Sequence, residues 1–213
     1  MDWLNKNWEL VIGLSGVHIG LSVLPVVVGL AVSLPLGWVA FRYKKVGRFL
    51  VPASGLLYTI PSLPLFIALP VILGTSILDP ANLIVGLTIY AVALLVRQIV
   101  DALGSVNQNV RQASIAMGYS PWQRFWRVDL PLAGPVLLSG LRVVSVSTVS
   151  LVSIGSVIGV TSLGYLFLNG FKRGIPSEVL VGVIATVIFA FLFDGVLILA
   201  GRLLMPWTRK VRS

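Results

Sequence analysis

The stretch RQASIAMGYSPWQRFWRVDLPLAGP, Arg111 to Pro135, is a polar and basic island between long apolar segments. Just before and within it, Val110, Ala113, Ser114 and Met117 recur at i, i+3, i+4 and i+7, the spacing that places side chains on one face of a helix. That face is small and mostly apolar. Gly118 then stops the helix, because a glycine past the last turn adopts the left-handed conformation that closes it. Ser120-Pro121-Trp122-Gln123 starts a second one: Ser120 is placed as N-cap, Pro121 sits in the first turn where no donor is lost, and Gln123 completes a capping box. The stretch reads as helix, sharp turn, helix, and we take it as a docking module spanning about residues 107–131.

Composition says what carries this module. A chain of 213 residues with 57% hydrophobic and 11% charged residues has too little polar surface to cover a soluble globule, so it is an all-α polytopic membrane protein. Its net charge of +9 could suggest nucleic acid. The basic residues lie instead in short stretches flanking apolar spans, which points to the membrane and away from a nucleic-acid partner. With no cysteine and one histidine, His18, neither a disulfide nor a metal site is expected. The N-terminus, MDWLNKNWEL, lacks the features of a removable signal peptide.

About five transmembrane spans are expected within a single domain, 1–213. The first covers about His18 to Phe41 and is followed by the cluster Arg42, Lys44, Lys45 and Arg48. The second, about Leu50 to Gly74, holds Pro52, Pro61, Pro64 and Pro70, so a kinked or interrupted segment is expected. The third covers about Leu83 to Leu103, with Arg97 and Asp101 four apart on one face. The fourth runs from near Leu132 to near Val160 and leads into a loop carrying Lys172 and Arg173. The fifth covers about Glu178 to Leu204, with Arg202, Arg209, Lys210 and Arg212 at its end. If the cluster after span one is cytoplasmic, thirteen of the sixteen basic residues face or adjoin the cytoplasm, leaving Lys6, Lys172 and Arg173 outside. The expected topology is N-out, C-in. Trp3 and Trp8 would mark the outer interface, and Trp38, Tyr43 and Trp207 the inner one.

Gln112-Ala113-Ser114, Gly118 four residues beyond Ser114, and Leu130-Pro131 are similar to the cytoplasmic signature of bacterial ABC-importer permeases, in which Glu-Ala-Ala is followed by Gly and later by Leu-Pro. Gln112 stands where that pattern has its acid. Thr59-Ile60-Pro61-Ser62, the segment Tyr90 to Arg97, and GVTSLGYLFLNG at 159–170 resemble the osmoprotectant branch, which imports glycine betaine, choline or carnitine. The resemblance implies the type I ABC importer permease fold in a bacterial cytoplasmic (inner) membrane. It also implies a second permease subunit, the same chain or a related one, a cytoplasmic ABC ATPase dimer, and an extracytoplasmic substrate-binding protein. The residues agree with this division of labour, since no GxxxxGK[ST] phosphate loop is present and ATP must be hydrolysed by a partner. The expected ATPase-coupling residues are Val110, Gln112, Ala113, Ser114, Met117, Gly118, Leu130 and Pro131. Because Gln112 is not an acid, coupling is assigned to the Val110-to-Met117 face and the Gly118 turn, not to a carboxylate contact.

Competing readings are a hairpin on the inner leaflet anchored by Trp122 and Trp126, a DNA-binding helix-turn-helix, a membrane scaffold, and an ATP-independent channel or secondary transporter. Against the last stand the absence of a visible internal repeat and the scarcity of acids near mid-membrane. Two charges do lie inside spans: Arg142 in span four and Asp194 in span five, at similar depth, expected to pair either as a lock between the spans or as a gate element. Ser145, Thr148, Gly155, Ser156 and Gly159 form a face of small residues on span four, read as a packing face; Gly16 and Gly20 form a lone GxxxG. His18 is expected as a hydrogen-bonded residue at the outer end. Tyr58, Phe66, Tyr90, Tyr165 and Phe167 are dispersed along the chain, so no aromatic cage for a quaternary ammonium is assigned.

Overall fold

A computed structural model describes residues 2–208, so the expected basic tail Arg209, Lys210 and Arg212 lies outside the described residues. Every element in it is helical. The order is α1 (Asp2–Arg42), α2 (Lys44–Leu57), α3 (Ser62–Leu73), α4 (Pro80–Gly104), α5 (Gln108–Ala116), α6 (Pro121–Arg124), a π-helical turn (Phe125–Asp129), α7 (Leu130–Val152), a 3-10 turn (Ser153–Ile158), α8 (Gly164–Arg173) and α9 (Pro176–Leu204). Four apolar helices are long enough to cross a membrane: α1, α4, the continuous run Pro121–Ile158, and α9. The pair α2 and α3, bent by 102°, supplies a fifth if it counts as one span.

Packing settles that count. Late in α1, a Cβ on Gly37 would lie 2.5 Å from Cγ2 of Ile99, late in α4. Leu21, earlier in α1, packs with Leu83 and Leu87, early in α4. The two helices therefore run parallel, and the chain must return across the bundle between them; the bent pair is that crossing. The break itself follows from sequence. Pro61 disfavours helical geometry at Ile60, and the carbonyl of Ile60 accepts a hydrogen bond from the Tyr90 hydroxyl at 2.6 Å. The kinked segment expected between Leu50 and Gly74 is thus two helices.

Close approach of α1, α4 and α7 depends on small residues. A Cβ at Gly29 of α1 would lie 2.6 Å from Cβ of Ala91 on α4, and one at Gly140 of α7 would lie 2.7 Å from Oε1 of Gln98 on α4. Ser145, Thr148, Gly155 and Ser156 are buried, as a packing face requires. Gly159 leaves that face: it is exposed and ends the 3-10 turn at φ 86°. Gly16 and Gly20 meet nothing within 4 Å, so the GxxxG pair makes no helix contact within this chain.

Three expectations are corrected. The first membrane helix begins at Asp2, not near His18. It kinks at Asn7 (φ −127°, ψ 16°), and the stretch from Trp8 to Arg42 alone rises roughly 50 Å, longer than a hydrocarbon core of about 30 Å. The extension exists because Trp3, Val11 and Leu14 pack with Leu163 and Leu166 near α8 and with Val181 and Ala185 of α9, while Asn5, Lys6 and Glu9 stay exposed. His18 consequently lies inside the bundle, fully buried, with Nε2 3.0 Å from the carbonyl oxygen of Val149 and its ring edge-on to Phe189. Finally, the presumed loop carrying Lys172 and Arg173 is the helix α8, whose Gly164, Leu166 and Gly170 are buried.

Candidate functional site

The docking module forms as its residues dictate. Asn107 caps α5 by accepting from the Asn109 amide at 2.8 Å. Gly118 takes φ 82° and turns the chain. The Ser120 hydroxyl accepts from the Gln123 amide at 3.3 Å, and the Gln123 side chain accepts from the Ser120 amide at 3.0 Å, completing the capping box. From Pro121 the chain enters the π-helical turn and then α7. Pro131 has no N–H to donate to the carbonyl of Arg127, and the wider turn at this point accommodates that missing bond.

The expected coupling residues divide into two sets. Val110, Gln112, Ala113, Met117 and Gly118 are exposed, with Met117 at 69%. Ser114 is not: it is 1% exposed and donates to the Arg111 carbonyl at 2.7 Å, so its assignment to a docking face is corrected. Ile115, 56% exposed, is available in its place. Leu130 and Pro131 lie at the base of α7, against a cleft of about 490 Å³ shared with Leu34 of α1 and Leu204 of α9. They join the module to the bundle and are only partly exposed.

Beneath the exposed face is a polar joint that periodicity does not reveal. Asp129 is 3% exposed. Its Oδ1 is 2.7 Å from Nε of Arg111 and its Oδ2 is 3.4 Å from Nε of Arg124. Arg111 also donates through Nη2 to the Leu103 carbonyl at the end of α4, and its guanidinium lies 4.5 Å from the centre of the Phe41 ring at the end of α1. The aromatic side of the module is anchored separately. Phe125 is buried, with Trp38 of α1 at 5.7 Å and Trp126 at 4.9 Å between ring centres. Trp122 meets Trp38 edge-on at 5.4 Å. The two tryptophans that the competing inner-leaflet reading uses as anchors, Trp122 and Trp126, are part of a ring cluster, although each remains about half exposed.

Inside the bundle, Arg142 and Asp194 form a two-pronged ion pair. Nε donates to Oδ1 at 2.6 Å and Nη2 to Oδ2 at 2.7 Å, tying α7 to α9. Arg97 and Asp101, by contrast, are 3.8 Å apart and mostly exposed. Three of the dispersed aromatics converge at the α2–α3 break: Tyr90 lies 5.5 Å from Tyr58 and 6.3 Å from Phe66.

Residues 18–210 match the family described as "Binding-protein-dependent transport system inner membrane component". The chain belongs to this family. It is 32% identical over 189 residues to the choline transport system permease protein OpuBB of Bacillus subtilis (strain 168), covering 89% of this chain and 86% of that protein. It is also 32% identical over 184 residues to the osmoprotectant import permease protein OsmW of Salmonella typhimurium, covering 84% and 85%. Among solved structures, an inward-facing conformation of the MetNI methionine ABC transporter superposes with a TM-score of 0.85 at 22% identity, covering 93% of this chain and 98% of that one, which establishes the fold. This permease is therefore a multi-pass inner-membrane transport component with the type I ABC importer fold.

Proposed function

We propose that this permease carries a compatible solute or quaternary ammonium compound inward, in alternating access driven by a partner ATPase. The names of OpuBB and OsmW support the substrate class. In this reading the ends of α1, α4 and α9, together with α5 and α6, face the cytoplasm. Arg42, Lys44, Lys45 and Arg48 gather at that end, while Lys6, Lys172 and Arg173 lie at the opposite one, the charge asymmetry that sets orientation. The N-terminus is then outside, and a binding protein delivers substrate to that side. Two permease subunits, identical or related, complete the pathway.

The observation that carries the coupling half of the proposal is the capped helix-Gly-helix at the end of α4. It exposes Val110 and Ala113 on α5 and Met117 at its C-cap, an apolar ridge at the spacing a helix-in-groove contact uses. The ridge seats in a groove of the ATPase, and closure of the ATPase pair moves the module. Arg142 and Asp194 lock α7 to α9 so that the movement reaches both helices. Liposomes containing the permease, its ATPase and its binding protein test the reading. ATP-dependent accumulation of labelled choline or glycine betaine is expected; accumulation that persists without ATP would indicate a channel or secondary transporter instead.

A further inference from the structure

The exposed ridge on α5 raises a mechanical question, because a lever works only if it is rigidly joined to what it moves. α5 has nine residues, too few to be a stable helix alone in water. Its one buried residue is Ser114, so apolar packing does not fix it to the bundle. Both of its ends are turns, Ser105 to Asn107 on one side and Met117 to Tyr119 on the other. α6 differs, since Trp122 on it meets Trp38 edge-on and Phe125 just after it packs at a tilt against the same ring. What fixes α5 is polar.

We infer that Asp129 is the positioning residue that makes α5 and α7 one rigid body. Its two oxygens are taken by two guanidiniums from different parts of the module, Arg111 of α5 and Arg124 of α6. Neither arginine alone would suffice. Arg124 lies only five residues from Asp129 and holds the local turn, whereas Arg111 lies eighteen residues away and bridges the Gly118 bend. Arg111 also reaches the Leu103 carbonyl and covers the Phe41 ring, so the same side chain registers α5 against the ends of α1, α4 and α7. A planar fork with several donors meets those three demands together; a lysine does not. The carboxylate lies at the last residue of the π-helical turn, directly before Leu130-Pro131. Force on the α5 ridge thus enters α7 through Asp129, without passing around the Gly118 turn.

This inference rests on the proposed coupling role, but its test separates the two. The chain has no cysteine, so a pair introduced at the exposed positions Ala116 and Leu132 takes two spin labels and reports the α5–α7 distance in the assembled, reconstituted complex. The parent pair should give one narrow distance distribution. Asp129→Asn, which keeps the shape and removes the charge, should broaden it severalfold. In the same liposomes, substrate imported per ATP hydrolysed should fall about tenfold. That ratio does not respond to a mere loss of folded complex, which lowers uptake and hydrolysis together. Should Asp129→Asn fail to assemble, Arg111→Lys decides, with a smaller change of the same sign expected in both readouts. An unchanged distribution and ratio in the deciding variant would overturn the inference. If the parent complex imports nothing, the proposed function fails, while the distance measurement still tests the clamp.

Discussion

Gly118 offers a perturbation whose magnitude follows from geometry alone. Its φ is 82°, in the left-handed region, and nothing lies within 4 Å of the point where a Cβ would be. A larger side chain therefore has space, and the penalty for placing one there is entirely backbone strain. For an L-residue with a Cβ that strain is about 1–2 kcal/mol, larger for a β-branched side chain and smaller for asparagine, which visits this region readily. An energy of that size shifts an equilibrium by a factor of roughly 5–30. Gly118→Val should accordingly lower the ratio of bent to unbent module by about that factor. Gly118→Asn should stay close to the parent. The assay is ATP-driven uptake in liposomes with hydrolysis measured in parallel: valine should lower import per ATP, and asparagine should not. Equal coupling for glycine and valine would refute the reasoning, because a relaxed backbone would then serve as well as the bent one. Equal damage by valine and asparagine would also refute it, since the cause would then be contact with a partner and not φ.

Asp194→Asn should impair uptake more than exchanging the two charges as Arg142→Asp with Asp194→Arg, because the exchange preserves pairing within the membrane; equal transport in all variants would reject a role for the pair. Tyr90→Phe removes the 2.6 Å hydrogen bond to the Ile60 carbonyl at the α2–α3 break. It should cost about 1–3 kcal/mol, read as a lower melting temperature in detergent, unless water replaces the donor, in which case the melting point will not move. Ser120→Ala removes the α6 cap and should cost about 1 kcal/mol, measurable as earlier proteolysis or faster amide exchange confined to residues 118–125. Exchange spread evenly over α7 as well would show that the cap and the span melt as one unit.

What was legible in the sequence and what was not divide along a physical line. Gly118, Ser120, Pro121 and Gln123 act on their immediate neighbours, and the local turn chemistry they imply is present in atomic detail. The four prolines between Leu50 and Gly74 likewise act locally and break the second span. Periodicity also places Val110, Ala113, Ser114 and Met117 on one face, but it does not say how that face is rotated against the bundle. That rotation is set by Arg111 meeting Asp129 across eighteen residues, and it tucks Ser114 inward while leaving Ile115 outside. His18 and the trio Tyr58, Phe66 and Tyr90 show the same effect, because their contacts depend on the tilt and depth of separate helices. An earlier signal did exist for Asp129. It is an acid among three arginines, Arg111, Arg124 and Arg127, in a segment otherwise free of acids between Asp101 and Glu178. A lone carboxylate in so basic a segment is more readily explained as a partner for its neighbours than as a solvated surface charge, and two of those three arginines are the ones that hold it. The dependence between docking ridge and base thus runs one way: the ridge is written in helical spacing, the base in charge, and a substitution on the ridge should leave the Arg111–Asp129 base intact, whereas one in the base should loosen the ridge.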